Sequence, residues 1–362
     1  SNQPELDQPN RGVVDQLAEW GEGVGGRTRI LAVPTLPGKV NLITTFGPDS
    51  GETAGLMLSG HTDTVPCNPE LWTSDPWKPE VRDGRMYGLG SADMKGFLAL
   101  ALHAAARVGD LKRPLTLLAT ADEESGMDGA KALVDEGLRL ADRVIIGEPT
   151  GGQPVRMHKG IMMCAVDIAG RSGHSSRPLA GANAIDGLSE VLVALDALRR
   201  RWAEQYRAPE FDVAEPTMNF GQVTGGDAPN RICGQCTLTF DVRLVPGMDE
   251  AQITRELTEA IAGIGRESRV TARYYSMFPT IPPFENPVDS PLTRAVEAES
   301  GCTACAVLFG TEAPFFHALD MDTVVMGPGS IDVAHQPNEC IDVAEFAPTV
   351  DQLERLIRKF CC

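Results

Sequence analysis

Four short apolar runs divide the chain, and acidic residues or histidines follow each run along the sequence. The runs cover residues 56–58, 115–120, 144–146 and 323–326. Continuous rather than alternating apolar runs are typical of strands that are buried on both faces of a parallel sheet. Helix-like stretches at 95–107 and 129–137 lie between them. This alternation predicts an α/β fold with a mostly parallel, helix-covered sheet.

The pattern changes between residues 160 and 277. The pattern of this segment predicts a strand of alternating apolar and polar residues, a long amphipathic helix, two strands, a second helix and a final strand. The first helix, predicted over 182–206, carries one apolar stripe, formed by Ile185, Leu188, Val191, Leu192 and Leu195. Start and stop signals frame the second helix, over 249–264. We therefore expect an inserted α+β (ferredoxin-like) domain over 159–277 and a discontinuous domain formed by 1–158 and 278–362.

Length and charge narrow the possible functions. A chain of 362 residues is long enough for two domains with separate cores. Its net charge of −18 argues against nucleic-acid binding, because no basic stripe could displace counterions from phosphates. The longest apolar run, 97–106, is too short to cross a bilayer. Residues 1–5 lack the basic start and apolar stretch of a secretory signal, so we expect a cytoplasmic protein that does not bind membranes.

Two cysteine pairs resemble the halves of a zinc ribbon. They are Cys233-x-x-Cys236 and Cys302-x-x-Cys305. The first pair leads into a strand-like stretch, where side chains alternate between the two faces, so its thiols would tend to diverge. The second pair also lies much further along the chain than ribbon spacing allows. We therefore do not predict a structural zinc site at these cysteines.

Histidines and carboxylates, which are common metal ligands, follow the buried strands along the chain. His61 and Asp63, the acidic run 122–124, Glu148 and His335 all come at or after strand ends, and Asp93 precedes a helix. Ligands of an open parallel sheet bind outside the carboxyl ends of its strands, so these side chains could converge. Taken singly, each histidine could be an ordinary surface residue, and each acidic residue could belong to a solvated turn. Together, two histidines and several carboxylates without cysteine suit catalytic Zn²⁺ or a similar ion, and they are numerous enough for a pair of ions.

Four motifs, in order along the chain, resemble those of the zinc-dependent M20 metallopeptidase family. They are SGHTDTVP at 59–66, GLGSADMKG at 88–96, DEE at 122–124 and GEPT at 147–150. The resemblance covers nearly the whole chain. It implies two divalent metal ions, Zn²⁺ or Co²⁺, held by His61, Asp93, Glu124, Glu148 and His335. Asp93 would bridge the ions, Glu123 would be the general base, and Asp63 would orient His61.

The inserted domain resembles the lid or dimerisation domain of the same family. The sequence GRSGHSSRP at 170–178 matches its histidine loop. The resemblance implies a homodimer in which His174 reaches the active site of the partner subunit and stabilises the oxyanion. Asn230 and Arg243 match positions that bind the substrate carboxylate. An arginine fork suits a carboxylate, but a strand arginine that pairs with a local acid is the competing interpretation.

The implied reaction is metal-dependent hydrolysis of the amide bond of an N-acyl amino acid. Glu148, rather than an aspartate, looks like the deacylase branch more than the carboxypeptidase branch. The segments FGTEAPF at 309–315 and GPGSI at 327–331 look most like the members that convert N-acetyl-L-ornithine to L-ornithine and acetate in arginine biosynthesis. N-succinyl-diaminopimelate, N-acetylcitrulline and other N-acyl amino acids remain alternatives, and so does a non-catalytic small-molecule binder. Glu312 either recognises the ammonium of ornithine or caps a helix-like segment at 313–319.

Overall fold

The computed structural model describes residues 8–48, 55–265 and 268–362. Residues 1–5, on which the expectation about a secretory signal depended, lie outside the described residues. The helices are α1 Arg11–Gly23, α2 Lys95–Ala106, α3 Asp128–Asp135, α4 Ala184–Gln205, α5 Glu250–Ala262, α6 Pro291–Ser300, α7 Ala313–His317 and α8 Phe346–Cys361. Within the described part of the chain, none of them is long and apolar enough to cross a membrane.

The strands vary in length from two residues to ten. They are β1 Arg27–Ala32, β2 Val40–Phe46, β3 Leu56–His61, β4 Glu80–Arg82, β5 Arg85–Tyr87, β6 Leu115–Thr120, β7 Arg143–Pro149, β8 Val155–His158, β9 Gly160–Ala169, β10 Gly173–His174, β11 Thr217–Gly225, β12 Arg231–Ile232, β13 Gln235–Leu244, β14 Thr271–Ser276, β15 Phe284–Glu285, β16 Cys305–Val307, β17 Asp322–Gly327 and β18 Cys340–Asp342.

The chain divides into two compact units. The first contains Ser1–Arg156, Asn286–Cys305 and Thr311–Cys362, and the second contains Met157–Glu285 and Ala306–Gly310. The second unit thus extends beyond residue 277, where the sequence pattern places the boundary. The physical reason is local pairing, because Ile281 bridges Ile161 and Phe284 pairs with His158.

The first unit is built on a sheet whose central strands are parallel. Strands β6, β3, β7 and β17 are neighbours in that order, and each adjacent pair is parallel. All residues of β3 and β6 are buried, as continuous apolar runs predict. Helices α2 and α8 pack against β3, and α6 and α7 pack against β17. The α/β class with a parallel sheet centre is confirmed.

An antiparallel pair extends this sheet on one side. Strand β1 pairs with β2, and β2 pairs with β6, both antiparallel. The apolar runs did not predict β1, because its residues alternate between exposed and partly buried positions. Half-exposure of this kind is expected for a strand at the sheet edge, which has a neighbour on one side only.

The second unit contains a four-stranded antiparallel sheet covered by two helices. Its strands occur in the order β11-β13-β9-β14, and α4 and α5 pack against them. This is the predicted succession of strand, helix, two strands, helix and strand. The first helix begins where the side chain of Asn183 accepts a hydrogen bond from the N–H of Ile185, and Asp249 caps the second helix in the same way.

Candidate metal centre

The carboxyl ends of the parallel strands bring one group of metal-ligand side chains together. His61 is the last residue of β3, Glu148 is the next-to-last residue of β7, and Asp93 precedes α2. One ligand atom from each of these three residues lies within 4.8 Å of the other two. All three side chains are buried. Parallel strands end at the same sheet edge, so neighbouring strands can position His61 and Glu148 side by side.

A second group shares Asp93 with the first. It consists of Asp93, Glu124 and His335, again with one atom from each within 4.8 Å of the others. Oδ1 of Asp93 lies 3.0 Å from Nε2 of His61, and its Oδ2 lies 3.4 Å from Nε2 of His335. Nε2 of His335 is also 3.0 Å from Oε2 of Glu124. The two oxygens of Asp93 therefore face two different histidines.

The hydrogen bonds around His61 leave its Nε2 available for a cation. Its Nδ1 lies 3.0 Å from the carbonyl oxygen of Asp63, which can only accept, so in the neutral ring the proton resides on Nδ1. In that form Nε2 turns a lone pair towards the Asp93 carboxylate, and either a proton or a divalent cation between the two groups satisfies both. Oε1 of Glu148 is likewise buried and has no hydrogen-bond partner among the described residues. These residues fit a pair of divalent cations with imidazole and carboxylate ligands.

The charges in the cluster shift the pKa values strongly. Hydrogen bonds to Asp93 and Glu124 raise the pKa of His335 to about 10. Burial opposes ionisation of Asp93, but hydrogen bonds from His335 and His61 outweigh it and hold the pKa of Asp93 well below its usual range. Burial and the nearby Asp93 charge raise the pKa of Glu148 well above its usual range. Protons and divalent cations thus compete for the same side chains, so metal affinity should weaken as pH falls.

Glu123 lies beside these ligands in a turn held by Asp63. The two carboxylate oxygens of Asp63 accept hydrogen bonds from the N–H groups of Glu123 (3.2 Å) and Glu124 (3.1 Å). Oδ1 of Asp63 is 3.7 Å from Nδ1 of His61, so the nearer contact of that ring is the Asp63 carbonyl. Asp63 therefore positions the Glu123–Glu124 turn, an interaction that the sequence motif does not reveal. Burial, and then the charge of Glu148, raise the pKa of Glu123 well above its usual range.

Glu312 occupies the N-cap position of α7, but its side chain binds Thr120 instead of that helix. Helix α7 ends at His317 rather than at residue 319, and the Glu312 side chain makes no capping hydrogen bond to it. The N–H of Ala313 donates instead to Oγ1 of Thr311. Oε2 of Glu312 accepts a hydrogen bond of 2.9 Å from Thr120, and Oε1 is buried with no hydrogen-bond partner among the described residues. The side chain thus makes no capping hydrogen bond, and the choice between stabilisation of the helix N-terminus and recognition of the substrate stays a prediction. Burial raises the pKa of Glu312 to about 8.

The second unit carries the remaining predicted residues. His174 lies on β10, which pairs with β12, and its Nδ1 accepts a hydrogen bond of 3.2 Å from the N–H of Ser176. Asn230 is beside this loop, since its carbonyl accepts a hydrogen bond from the N–H of Ser175. Nε of Arg243 lies 3.0 Å from Oδ2 of Asp241, the local ion pair that the competing interpretation expects.

A hydrolase is the class that this fold and site define, because paired divalent ions are a recurring device of hydrolytic enzymes. Residues 57–359 match the model of Peptidase family M20/M25/M40, and the chain belongs to this family. It is 42% identical over 360 residues to a protein named acetylornithine deacetylase from Yersinia pseudotuberculosis, covering 98% of this chain and 92% of the relative. It is 43% identical to a protein of the same name from Proteus mirabilis, covering 98% and 91%.

Solved structures show the same fold at lower sequence identity. A tripeptidase from Staphylococcus aureus superposes with a TM-score of 0.76 at 22% identity, covering 98% of this chain and 94% of that one. A dinuclear metal-binding peptidase of the M20 family from Bacillus subtilis superposes with a TM-score of 0.67 at 15% identity, covering 96% and 92%. The arrangement of the described elements is therefore that of the family.

Two further residues belong to the neighbourhood of the centre, although no motif indicated them. Thr120 holds Glu312, and Glu339 binds the loop that carries Asp93. Thr120 looks like the end of an apolar strand in the sequence, so it gave no signal. Glu339 gave a weak signal in the sequence, because it follows His335 by four residues and precedes a short apolar stretch. That spacing alone does not identify the groups that Glu339 binds.

Proposed function

We propose that the chain hydrolyses the amide bond of N-acetyl-L-ornithine to L-ornithine and acetate. The observation that carries this proposal is the pair of ligand groups that share Asp93, with Glu123 beside them. Membership of the peptidase family supports amide hydrolysis. The choice of substrate is supported by relatives named acetylornithine deacetylase, which are 42–43% identical over nearly the full chain.

The proposed centre holds two ions, with Zn²⁺ as the metal and Co²⁺ as the alternative. His61, Asp93 and Glu148 would hold one, and Asp93, Glu124 and His335 the other. When bound, such ions lower the pKa of water towards about 7 and polarise the carbonyl of the amide. Asp93, which belongs to both groups, would bridge them and offset the repulsion between two positive charges.

Glu123 is the proposed general base and acid. Its carboxylate takes a proton from the attacking water, whose oxygen forms a bond to the carbonyl carbon of the acyl group. It then gives the proton to the α-nitrogen as the C–N bond breaks, which releases acetate and the free amine. A raised pKa suits both steps, because the carboxylate accepts a proton more readily than an exposed glutamate does and retains it until the amine leaves.

A panel of substrates tests the proposal. Purified enzyme with its metals should show its highest kcat/KM on N-acetylornithine, by at least about tenfold over N-succinyl-diaminopimelate, N-acetylcitrulline and N-acetylmethionine, since a charged contact distinguishes substrates on that scale. Highest activity on another member of the panel would contradict the substrate. Absence of turnover on every member, with both metals present by elemental analysis, would favour the non-catalytic binder.

Glu312 is the proposed partner of the ammonium group of ornithine. Its Oε1 is buried without a hydrogen-bond partner among the described residues, and a buried ammonium needs such an acceptor. Loss of a hydrogen bond between charged groups costs about 1.5–3 kcal/mol, so Glu312→Gln should lower kcat/KM for N-acetylornithine roughly 10–100-fold. The same change should alter kcat/KM for N-acetylmethionine much less.

Thr120→Val provides the matched control for this measurement. It removes the hydroxyl that binds Oε2 but keeps the Glu312 carboxylate, so its effect on the two substrates should be similar. If Glu312→Gln lowers kcat/KM for both substrates by the same factor, Glu312 does not recognise the side chain of the substrate.

We also propose that the second unit joins two copies of the chain. Strand β11 is at the edge of its sheet, and residues 221–225 are exposed along it. Val223 on this strand is 51% exposed, and Val193 on α4 is 72% exposed. An exposed strand edge can pair with the same edge of a second copy, which gives a two-fold dimer.

His174 is proposed to act on the site of the partner subunit. The N–H of Ser176 can only donate, so Nδ1 of His174 accepts, and the neutral ring carries its proton on Nε2. An N–H at Nε2 is the donor that a tetrahedral oxyanion requires.

Mixing two inactive variants tests this arrangement. His174→Ala chains and Glu123→Gln chains should each have little activity, but their heterodimers contain one site in which both groups are intact. We expect activity to return, to at most a quarter of wild type if subunits mix at random in equal amounts, since half of the dimers have one good site of two. Mass spectrometry of differently tagged chains checks subunit exchange. Proven exchange without recovered activity would mean that His174 acts within its own subunit.

A further inference from the structure

One buried carboxylate outside the ligand set binds the loop that carries Asp93. Oε1 of Glu339 accepts hydrogen bonds from the N–H groups of Ala92 (2.8 Å) and Asp93 (3.0 Å). Its Oε2 accepts another from the N–H of Gly90 (2.9 Å). Glu339 is only 2% exposed. Three N–H groups on one carboxylate fix the orientation of successive peptide planes in this loop.

The main chain of Glu339 is attached to the same segment. Its carbonyl accepts a hydrogen bond of 3.1 Å from the N–H of Gly88, and Cys340 pairs with Tyr87 across β18 and β5. Glu339 also follows the metal-ligand His335 by four residues. It thus connects two loops that carry ligands, one with Asp93 and the other with His335.

The loop contains a glycine in a backbone conformation that other residues rarely adopt. Gly90 has a φ of 80°, in the left-handed region that residues with a Cβ rarely adopt. A Cβ at this position would also approach Nζ of Lys95 to 2.2 Å. Burial lowers the pKa of Lys95, and the nearby charge of Glu339 opposes this shift. The hydrogen bonds from Gly90, Ala92 and Asp93 to Glu339 therefore attach this loop to a residue that is distant in the sequence.

We propose that Glu339 is a positioning residue, which fixes the direction of the Asp93 side chain and so sets the affinity of the centre for its cations. Both N–H groups bound to Oε1 belong to the peptide units on either side of Ala92, directly before the Cα atom of Asp93. Rotation of these units would turn the two oxygens of Asp93 away from His61 and His335. The inference rests on the proposed two-metal centre, but it assigns to Glu339 a role that lies outside the ligands and the base.

Cobalt binding to the whole enzyme provides the test. Metal-free wild type and Glu339→Gln are titrated with Co²⁺ against a chelator, and the visible absorption of the bound ion reports its coordination. Glutamine has the size of glutamate but only one acceptor oxygen. Its NH₂ group would face a backbone N–H of the loop, and two donors cannot form a hydrogen bond. We expect at least one Co²⁺ to bind about 10–100-fold more weakly, as for other residues that orient ligands, with a changed spectrum. Glu339→Asp, which restores the charge on a shorter side chain, should have an intermediate affinity.

Asp322→Asn is the control for a merely structural contribution. Asp322 also accepts a backbone hydrogen bond in the first unit, from the N–H of Leu292 (3.0 Å), but it belongs to neither ligand group. We expect this variant to melt at a lower temperature and to bind Co²⁺ as wild type does. If Glu339→Gln also melts lower but keeps the wild-type affinity and spectrum, the positioning role is overturned. If wild type itself fails to bind two ions, the proposed centre is wrong and this inference fails with it.

Discussion

Glu123→Gln should retain both metal ions and lose about 10²–10⁴-fold in kcat, which is the usual contribution of a general acid–base group. The amide preserves the shape of the side chain, and neither ligand group contains Glu123. The change removes only the ability to accept a proton from water and to return it to the leaving amine. Steady-state kinetics with N-acetylornithine, combined with elemental analysis of the same sample, measures both parts of the prediction.

The pH profile adds a second readout to this variant. Burial and the charge of Glu148 raise the pKa of Glu123, and the reaction needs its unprotonated form, so wild-type kcat/KM should fall as pH is lowered through that pKa. The residual activity of Glu123→Gln should lack this acid limb over the pH range in which both metal ions stay bound. Asp122→Asn changes the adjacent carboxylate, and Asn keeps an acceptor for the N–H of Gly126, so it should lose far less activity. A Glu123→Gln enzyme within a factor of about three of wild type would remove Glu123 from the mechanism.

The sequence predicts much of the metal centre because of how a parallel sheet is built. Apolar runs locate β3, β6 and β7 without any further information, and the polar residues at their carboxyl ends must share one edge. His61 and Glu148 are brought together in this way, as neighbours on adjacent strands. The same reasoning could not locate β1, whose half-exposed pattern carries no continuous apolar run.

Contacts between distant positions were not predictable from the pattern. Glu339 and Asp93 are 246 residues apart in sequence, and Glu312 and Thr120 are 192 residues apart. The carboxylates of Glu339 and Glu312 are both buried, one bound by a loop and the other by a hydroxyl group. Neither interaction leaves a periodic pattern or a motif in the sequence. For Glu312, local spacing favoured a helix cap and substrate recognition equally, and it did not indicate the hydrogen bond to Thr120. The second boundary between the units also depended on pairing, between Ile281 and Ile161.

Asp93→Ala should remove nearly all turnover and reduce the bound metal from two ions towards one or none. Asp93 is the one residue common to the two ligand groups among the described residues, and each of its oxygens faces a different histidine. Its loss leaves each group with two members. It also removes the negative charge that offsets repulsion between two cations, and ions are the largest local charges in such a site. Elemental analysis after exhaustive dialysis, and Co²⁺ titration against a chelator, measure the loss.

Asp93→Asn separates the charge of this residue from its shape. Asparagine keeps one oxygen acceptor in the same place, so it can serve one ion but cannot bridge two as a carboxylate does. We therefore expect one ion to remain in Asp93→Asn, with affinity above that of Asp93→Ala. The melting temperature of metal-free Asp93→Ala shows whether the substitution also lowers the stability of the fold. Two ions bound to folded Asp93→Ala with wild-type affinity would show that the centre does not depend on a bridging aspartate. In that case the positioning role of Glu339, which acts through Asp93, would lose its basis as well.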